Sequence, residues 1–136
     1  MTDTAPRGTR IAHIGLAVNA LDQILPFYRD VLGLPTVPLD DADGARIAGL
    51  AAGESLVELL EAQSPESPIG KFVAKRGPGI HHVCFAVDDI DGTLQRCKAF
   101  GIRVIDETPR VGAEGKRIAF LHPASTAGVL IELSEY

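Results

Sequence analysis

The feature that most constrains this chain is an internal repeat. AHIGLAVNALD (12–22) lies over HHVCFAVDDID (81–91) at a constant offset of 69, so that His13 falls on His82, Ala17 on Ala86, Val18 on Val87 and Asp22 on Asp91. After one gap, DVLGL (30–34) matches KAFGI (98–102), and VELLE (57–61) matches IELSE (131–135) with Glu58 over Glu132. The correspondence keeps polar positions as well as apolar ones, which chance similarity between two amphipathic segments would not do.

Each copy reads as the same series of elements. A β-branched, alternating strand comes first, then a helix, then about three more strands. The helices are expected near 20–32, with Asn19 or Asp22 at the start and Gly33 after the end, and near 89–100, with Asp88 or Asp89 as cap and Gly101 as stop. The strands are expected near 35–39, 45–51 and 55–61, and near 102–107, 116–121 and 128–134. Residues 62–79 join the copies through a turn-rich SPESP and a short helix near 68–75. One copy is too small to bury both faces of its sheet. The expected fold is therefore α+β: two tandem βαβββ modules, about 10–62 and 80–135, forming one curved, mostly antiparallel sheet around a cavity with helices outside. Residues 1–9 read as a loose tail.

Composition excludes several functions. The 136 residues are 46% hydrophobic, enough for a real core, and the net charge of −5 with scattered Lys and Arg argues against a nucleic-acid partner. No apolar run approaches the roughly 20 residues that cross a bilayer. The polar start lacks a secretory signal, and two cysteines are too few for a disulfide framework, so a cytoplasmic protein is expected.

Strand alternation then selects a site. His13, Gly15 and Ala17 share one face of the first strand, and His82, Cys84 and Ala86 share one face of its counterpart. Small residues beside a histidine leave room for something other than side chain. Glu58 and Glu132 sit mid-strand between apolar neighbours, where an unpartnered carboxylate is expensive. Two imidazoles and two carboxylates converging on one point suit one divalent transition ion such as cobalt, manganese, nickel or zinc. The metal ligands expected are His13, Glu58, His82 and Glu132. By the same alternation His81 points to the opposite face. His122 ends a strand in FLHP and is expected to anchor a loop or touch ligand, and Cys84 to line the pocket.

These features, with HIGLAVNALDQILPFYRDVLGL, SPIGKFVAKRG before HHVCF, and FLHP before GVLIEL, resemble the vicinal oxygen chelate superfamily and, within it, the methylmalonyl-CoA epimerase family, from about residue 10 to 136. The resemblance implies the same four ligands, with Glu58 where some members have Gln. It also implies a homodimer, an acyl-CoA substrate and inversion at C2 through a metal-stabilised enolate. Glu132 is one expected acid/base. The family's second acid falls on Ala42, so Asp41 or Asp43 is expected in its place, with Asp40 also near. Lys71, Lys75, Arg76, Lys116 and Arg117 are candidates to meet CoA phosphates, with surface solvation the commoner role. Two other readings stay open: a glyoxalase I-like metal isomerase, and a metal-free binding protein of the same fold. The SPIGKF and FLHP segments favour the epimerase over the first, and retention of all four ligands argues against the second.

Overall fold

The computed structural model describes residues 8–136. Residues 1–7, most of the stretch read as a tail, lie outside the described residues; Gly8 and Thr9 are exposed. Strands β1 (Arg10–Val18) and β5 (Gly79–Val87), the two copies of the histidine strand, pair antiparallel at the centre of one eight-stranded sheet. The other strands are β2 (Thr36–Val37), β3 (Ala45–Ala52), β4 (Ser55–Ala62), β6 (Arg110–Val111), β7 (Arg117–Leu121) and β8 (Ile131–Glu135). Their order, β2-β3-β4-β1-β5-β8-β7-β6, is the repeat made visible, since each half reads the same outward from the centre. β1 pairs parallel with β4 and β5 with β8, while the remaining pairs are antiparallel.

Helix α1 (Leu21–Pro26) packs Leu21 against Val18, Leu50 and Leu59, and α3 (Ile90–Ala99) packs Ile90 and Leu94 against Val87, Ala119, Leu121 and Leu133. These two cores use the bulky residues of the histidine strands, Leu16 and Val18 on β1 and Phe85 and Val87 on β5. Leu50 and Leu59 are fully buried, so truncating either to alanine costs about 2–5 kcal/mol. Helix α2 (Pro68–Arg76) lies on the other face, where Ile69 covers Ala17, Ala45 and Leu60. Part of the small-residue face is thus filled by protein, and the remaining space lies beside the histidines. No helix among the described residues is long and apolar enough to cross a membrane.

The helix starts show the repeat again. The Leu21 amide donates to Glu61 Oε1 at 2.7 Å and the Ile90 amide to Glu135 Oε2 at 3.1 Å, so the last glutamate of VELLE and of IELSE each satisfies a helix N-terminus. Asp89 also caps α3, accepting from the Gly92 amide at 3.0 Å.

Three expectations are corrected. The first helix ends as an α-helix at Pro26, which lacks an amide hydrogen, and continues as a π-helical segment, Phe27–Val31. The strand expected near 102–107 is reduced to a single bridge, Val104 to Leu121, and pairing resumes only at β6. Asp106 takes the ladder's place there: its carboxylate accepts from the Phe120 amide at 2.8 Å, and Pro109, which has no amide hydrogen to give a ladder, precedes β6. Finally, β1 and β5 carry matching bulges. Ile11 and His13 face Phe85 and Cys84, leaving Ala12 extra; Gly15 and Leu16 face His82 and Ile80, leaving His81 extra. Ala12 and His81 are again 69 positions apart. A bulge breaks the alternation, so His81 turns to the same side as His82.

Candidate metal centre and cavity

The sheet brings His13 from β1, Glu58 from β4, His82 from β5 and Glu132 from β8 into one cluster, each at most 6% exposed. Nε2 of His13 lies 3.0 Å from Nε2 of His82 and 3.0 Å from Oε1 of Glu132, and His82 Nε2 lies 3.1 Å from the same oxygen. On the other side of the His13 ring, Nδ1 stands 3.2 Å from Glu58 Oε2 and 2.8 Å from Glu114 Oε2. Gly15 is required here, because a Cβ at that position would collide with the His82 imidazole. This is the close approach that the small residue beside the histidine permits.

Electrostatics divide the cluster. Burial alone would lower the His13 pKa, but Cys84, Glu114 and Glu132 as acceptors and the charge of Glu58 outweigh it and push it up to about 12. Burial, then hydrogen bonding with Glu114, pushes Glu58 up to about 9 against the attraction of His13. Burial would raise Glu132 too, yet its hydrogen bonds to His13 and His82 hold it down to about 2. Glu114 is held down to about 2 in the same way, against its partial burial, by His13, Glu58 and Lys116.

A divalent ion fits this donor set. Glu58 Oε2 is buried without a hydrogen-bond partner, and His13 Nδ1, although 2.8 Å from Glu114 Oε2, is not aligned for a regular hydrogen bond to it. An orphaned carboxylate oxygen costs about 1–3 kcal/mol and calls for a partner such as a cation. The separations among His13 Nε2, His82 Nε2 and Glu132 Oε1 match those of adjacent donors around an ion with bonds of about 2.1 Å. His13, Glu58 and His82 form one group able to hold a metal ion, and His13, Cys84 and Glu132 another.

A cavity of about 540 Å³ opens onto Glu58, His82 and Glu132. Its apolar wall includes Leu60, Ile69, Ile105 and Phe120; its polar groups include His81, Asp43, Asp106 and Arg110. Of the loop acids, Asp43 faces this space, at a turn where it and Gly44 both have positive φ, as an Asp-Gly hairpin turn requires. Its carboxylate lies 3.3 Å from Arg110. Asp41 instead accepts from the Ile47 amide at 3.0 Å, and Asp40 borders a separate surface depression. Ala42 also lines the cavity, but brings no acid. His122 is a loop anchor, accepting from the Ala124 amide at 3.0 Å.

Among the candidate cations, Arg117 pairs with Asp91 and Glu135, and Arg76 lies over Phe72. Sequence reasoning missed Arg110, whose guanidinium lies over the Phe120 ring. It also missed Glu114, although the repeat marks it: ADGARIA (42–48) lies over AEGKRIA (113–119), with Asp43 over Glu114.

The family model for the Glyoxalase/Bleomycin resistance protein/Dioxygenase superfamily matches residues 10–133. The ethylmalonyl-CoA/methylmalonyl-CoA epimerase of Cereibacter sphaeroides is 36% identical over 93% of this chain and 97% of its own. Among solved structures, a hypothetical protein from Bacillus halodurans C-125 superposes with a TM-score of 0.91 at 44% identity, covering 96% of each chain. A methylmalonyl-CoA epimerase in complex with methylmalonyl-CoA and NH4+ superposes with a TM-score of 0.88 at 38% identity, covering 93% of this chain and 94% of that one. The chain belongs to the glyoxalase/bleomycin resistance protein/dioxygenase superfamily and, within it, to the methylmalonyl-CoA epimerase family.

Proposed function

We propose that this protein interconverts the 2R and 2S forms of methylmalonyl-CoA, with His13, Glu58, His82 and Glu132 holding one divalent ion. The observation that carries this reading is the buried two-histidine, two-glutamate cluster at the wall of an apolar cavity, in a chain of the epimerase family. When bound, the ion supplies Lewis-acid stabilisation of the negative charge that develops as the C2 proton leaves.

Inversion needs a proton taken from one face of C2 and returned to the other. Among the described residues, four carboxylates border the cavity. Asp106 is engaged by the Phe120 amide and Glu58 is assigned to the ion, and the acid/base pair is Glu132 on β8 with Asp43 in the β2–β3 turn, from different halves of the sheet. One accepts the C2 proton and the other, as a carboxylic acid, donates to the opposite face; the roles exchange for the reverse reaction. Asp41, tied to the Ile47 amide, instead fixes the hairpin that presents Asp43. Arg110 sets a positive charge beside Asp43 and suits the free carboxylate of the substrate. The apolar wall excludes water from the reacting carbon. The family resemblance also supports a homodimer.

The test supplies the metal-loaded protein with one epimer and separates the products by configuration. Formation of the other epimer, with no turnover of the hemithioacetal of methylglyoxal and glutathione, supports the epimerase; the reverse pattern supports a glyoxalase I-like isomerase.

A further inference from the structure

Glu114 is a charged side chain inside the candidate site that none of the expected roles uses. It stands in the turn between β6 and β7, and its carboxylate reaches inward to 2.8 Å from His13 Nδ1. Its side chain is 19% exposed, against 54% for Asp43, its counterpart in the first half. Asp43 is one methylene shorter and pairs with Arg110 instead. The two copies of the turn have therefore diverged. One carboxylate faces the large cavity, and the other closes a narrow space shared with His13, Glu58, Glu132 and Ser134.

An imidazole has two nitrogens, and only one can serve a given ion. His13 directs Nε2 to His82 and Glu132, whose donor atoms gather within 3.1 Å of one another. That leaves Nδ1 toward Glu114 and Glu58. A carboxylate on the far nitrogen of a ligand histidine fixes its tautomer and ring orientation and makes it a better donor. We infer that Glu114 is a positioning residue for the metal centre: its carboxylate holds the proton on His13 Nδ1 and keeps Nε2 free for the ion. The inference rests on the proposed ligand set, and extends it with a residue from the β6–β7 turn.

The experiment compares wild type, Glu114→Gln and Glu114→Ala by cobalt competition against a chelator, with the cobalt absorption spectrum recorded at saturation. Glu114→Ala should bind one cobalt about 10- to 100-fold more weakly with an unchanged spectrum. Glu114→Gln, which keeps an acceptor oxygen and the size of the side chain, should fall between. In the zinc-loaded wild type, nitrogen NMR should show the His13 proton on Nδ1, and Glu114→Ala should lose or broaden that signal. Equal affinity in all three proteins would overturn the inference alone, and so would a spectrum reporting fewer ligands in Glu114→Ala, since Glu114 would then be a ligand itself. Failure of the wild type to bind cobalt would instead refute the ligand set beneath it.

Discussion

His13 Nε2 and Glu132 Oε1 meet at 3.0 Å although 119 residues separate them in the chain. The contact exists because β1 and β5 pair at the centre of the sheet while β8 lies beside β5. Without an ion, this cluster keeps protons that an ion would displace. At pH 7.5, His13 at about 12 and Glu58 at about 9 are both protonated. Binding of one divalent ion should therefore release about two protons. Calorimetry in buffers of different ionisation enthalpy reads this number, and zero release would contradict the protonation pattern.

The same groups set the pH dependence of the metal-free fold. His13 and Glu58 have folded pKa values raised above their unfolded ones, so the folded state holds more protons than the unfolded state between about pH 6.5 and 9. Stability should fall as pH rises through that window. Glu132 and Glu114 are depressed to about 2, so their contribution is present above the unfolded carboxylate range and is lost as pH falls toward 2. Melting temperature of the metal-free protein should therefore decline from pH 7 to 9, and added ion should restore it. A rise over that interval would contradict the assignment.

Gly15→Ala tests the packing beside His82. The new methyl would occupy the position of the His82 ring, forcing that imidazole to move. Metal affinity should drop by at least about tenfold, in line with misplacing one ligand, while circular dichroism still reports a folded sheet. Wild-type affinity would show that the ring has room that the structure denies it.

Arg110 and Asp43 should separate kinetically. Arg110→Ala removes the cavity's guanidinium and should mainly raise KM, by about tenfold for a lost charged hydrogen bond. Asp43→Asn removes an acid/base and should lower kcat by about 100-fold or more, with little change in KM. Equal effects of both variants on kcat and KM would argue that the pair serves only to join β6 to the turn before β3.

Much of this was legible in the sequence because the repeat links residues that no local pattern would. Once His13 lay over His82, the glutamates followed from VELLE and IELSE, and the structure gathers all four. The bulges at Ala12 and His81 were not legible, because strand alternation assumes a regular ladder; that assumption sent His81 to the wrong face. The segment 102–107 has the apolar spacing of a strand and keeps main-chain bonds from Ile105 to Phe120 and from His122 to Arg103, yet the Phe120 amide is taken by the Asp106 side chain and the ladder stops there. Glu114 was within reach, since AEGKRIA repeats ADGARIA, but a glutamate in a glycine turn reads locally as a solvated loop residue.

The most direct test tracks a single proton. Metal-loaded wild type and His82→Ala are incubated with one epimer of methylmalonyl-CoA in heavy water, and the C2 proton is monitored by NMR. Wild type should exchange that proton for deuterium and invert the centre, while His82→Ala should lose both activities together with its bound ion. No exchange by wild type with cobalt, manganese, nickel or zinc, or full activity in a metal-free His82→Ala, would contradict a metal-dependent epimerase.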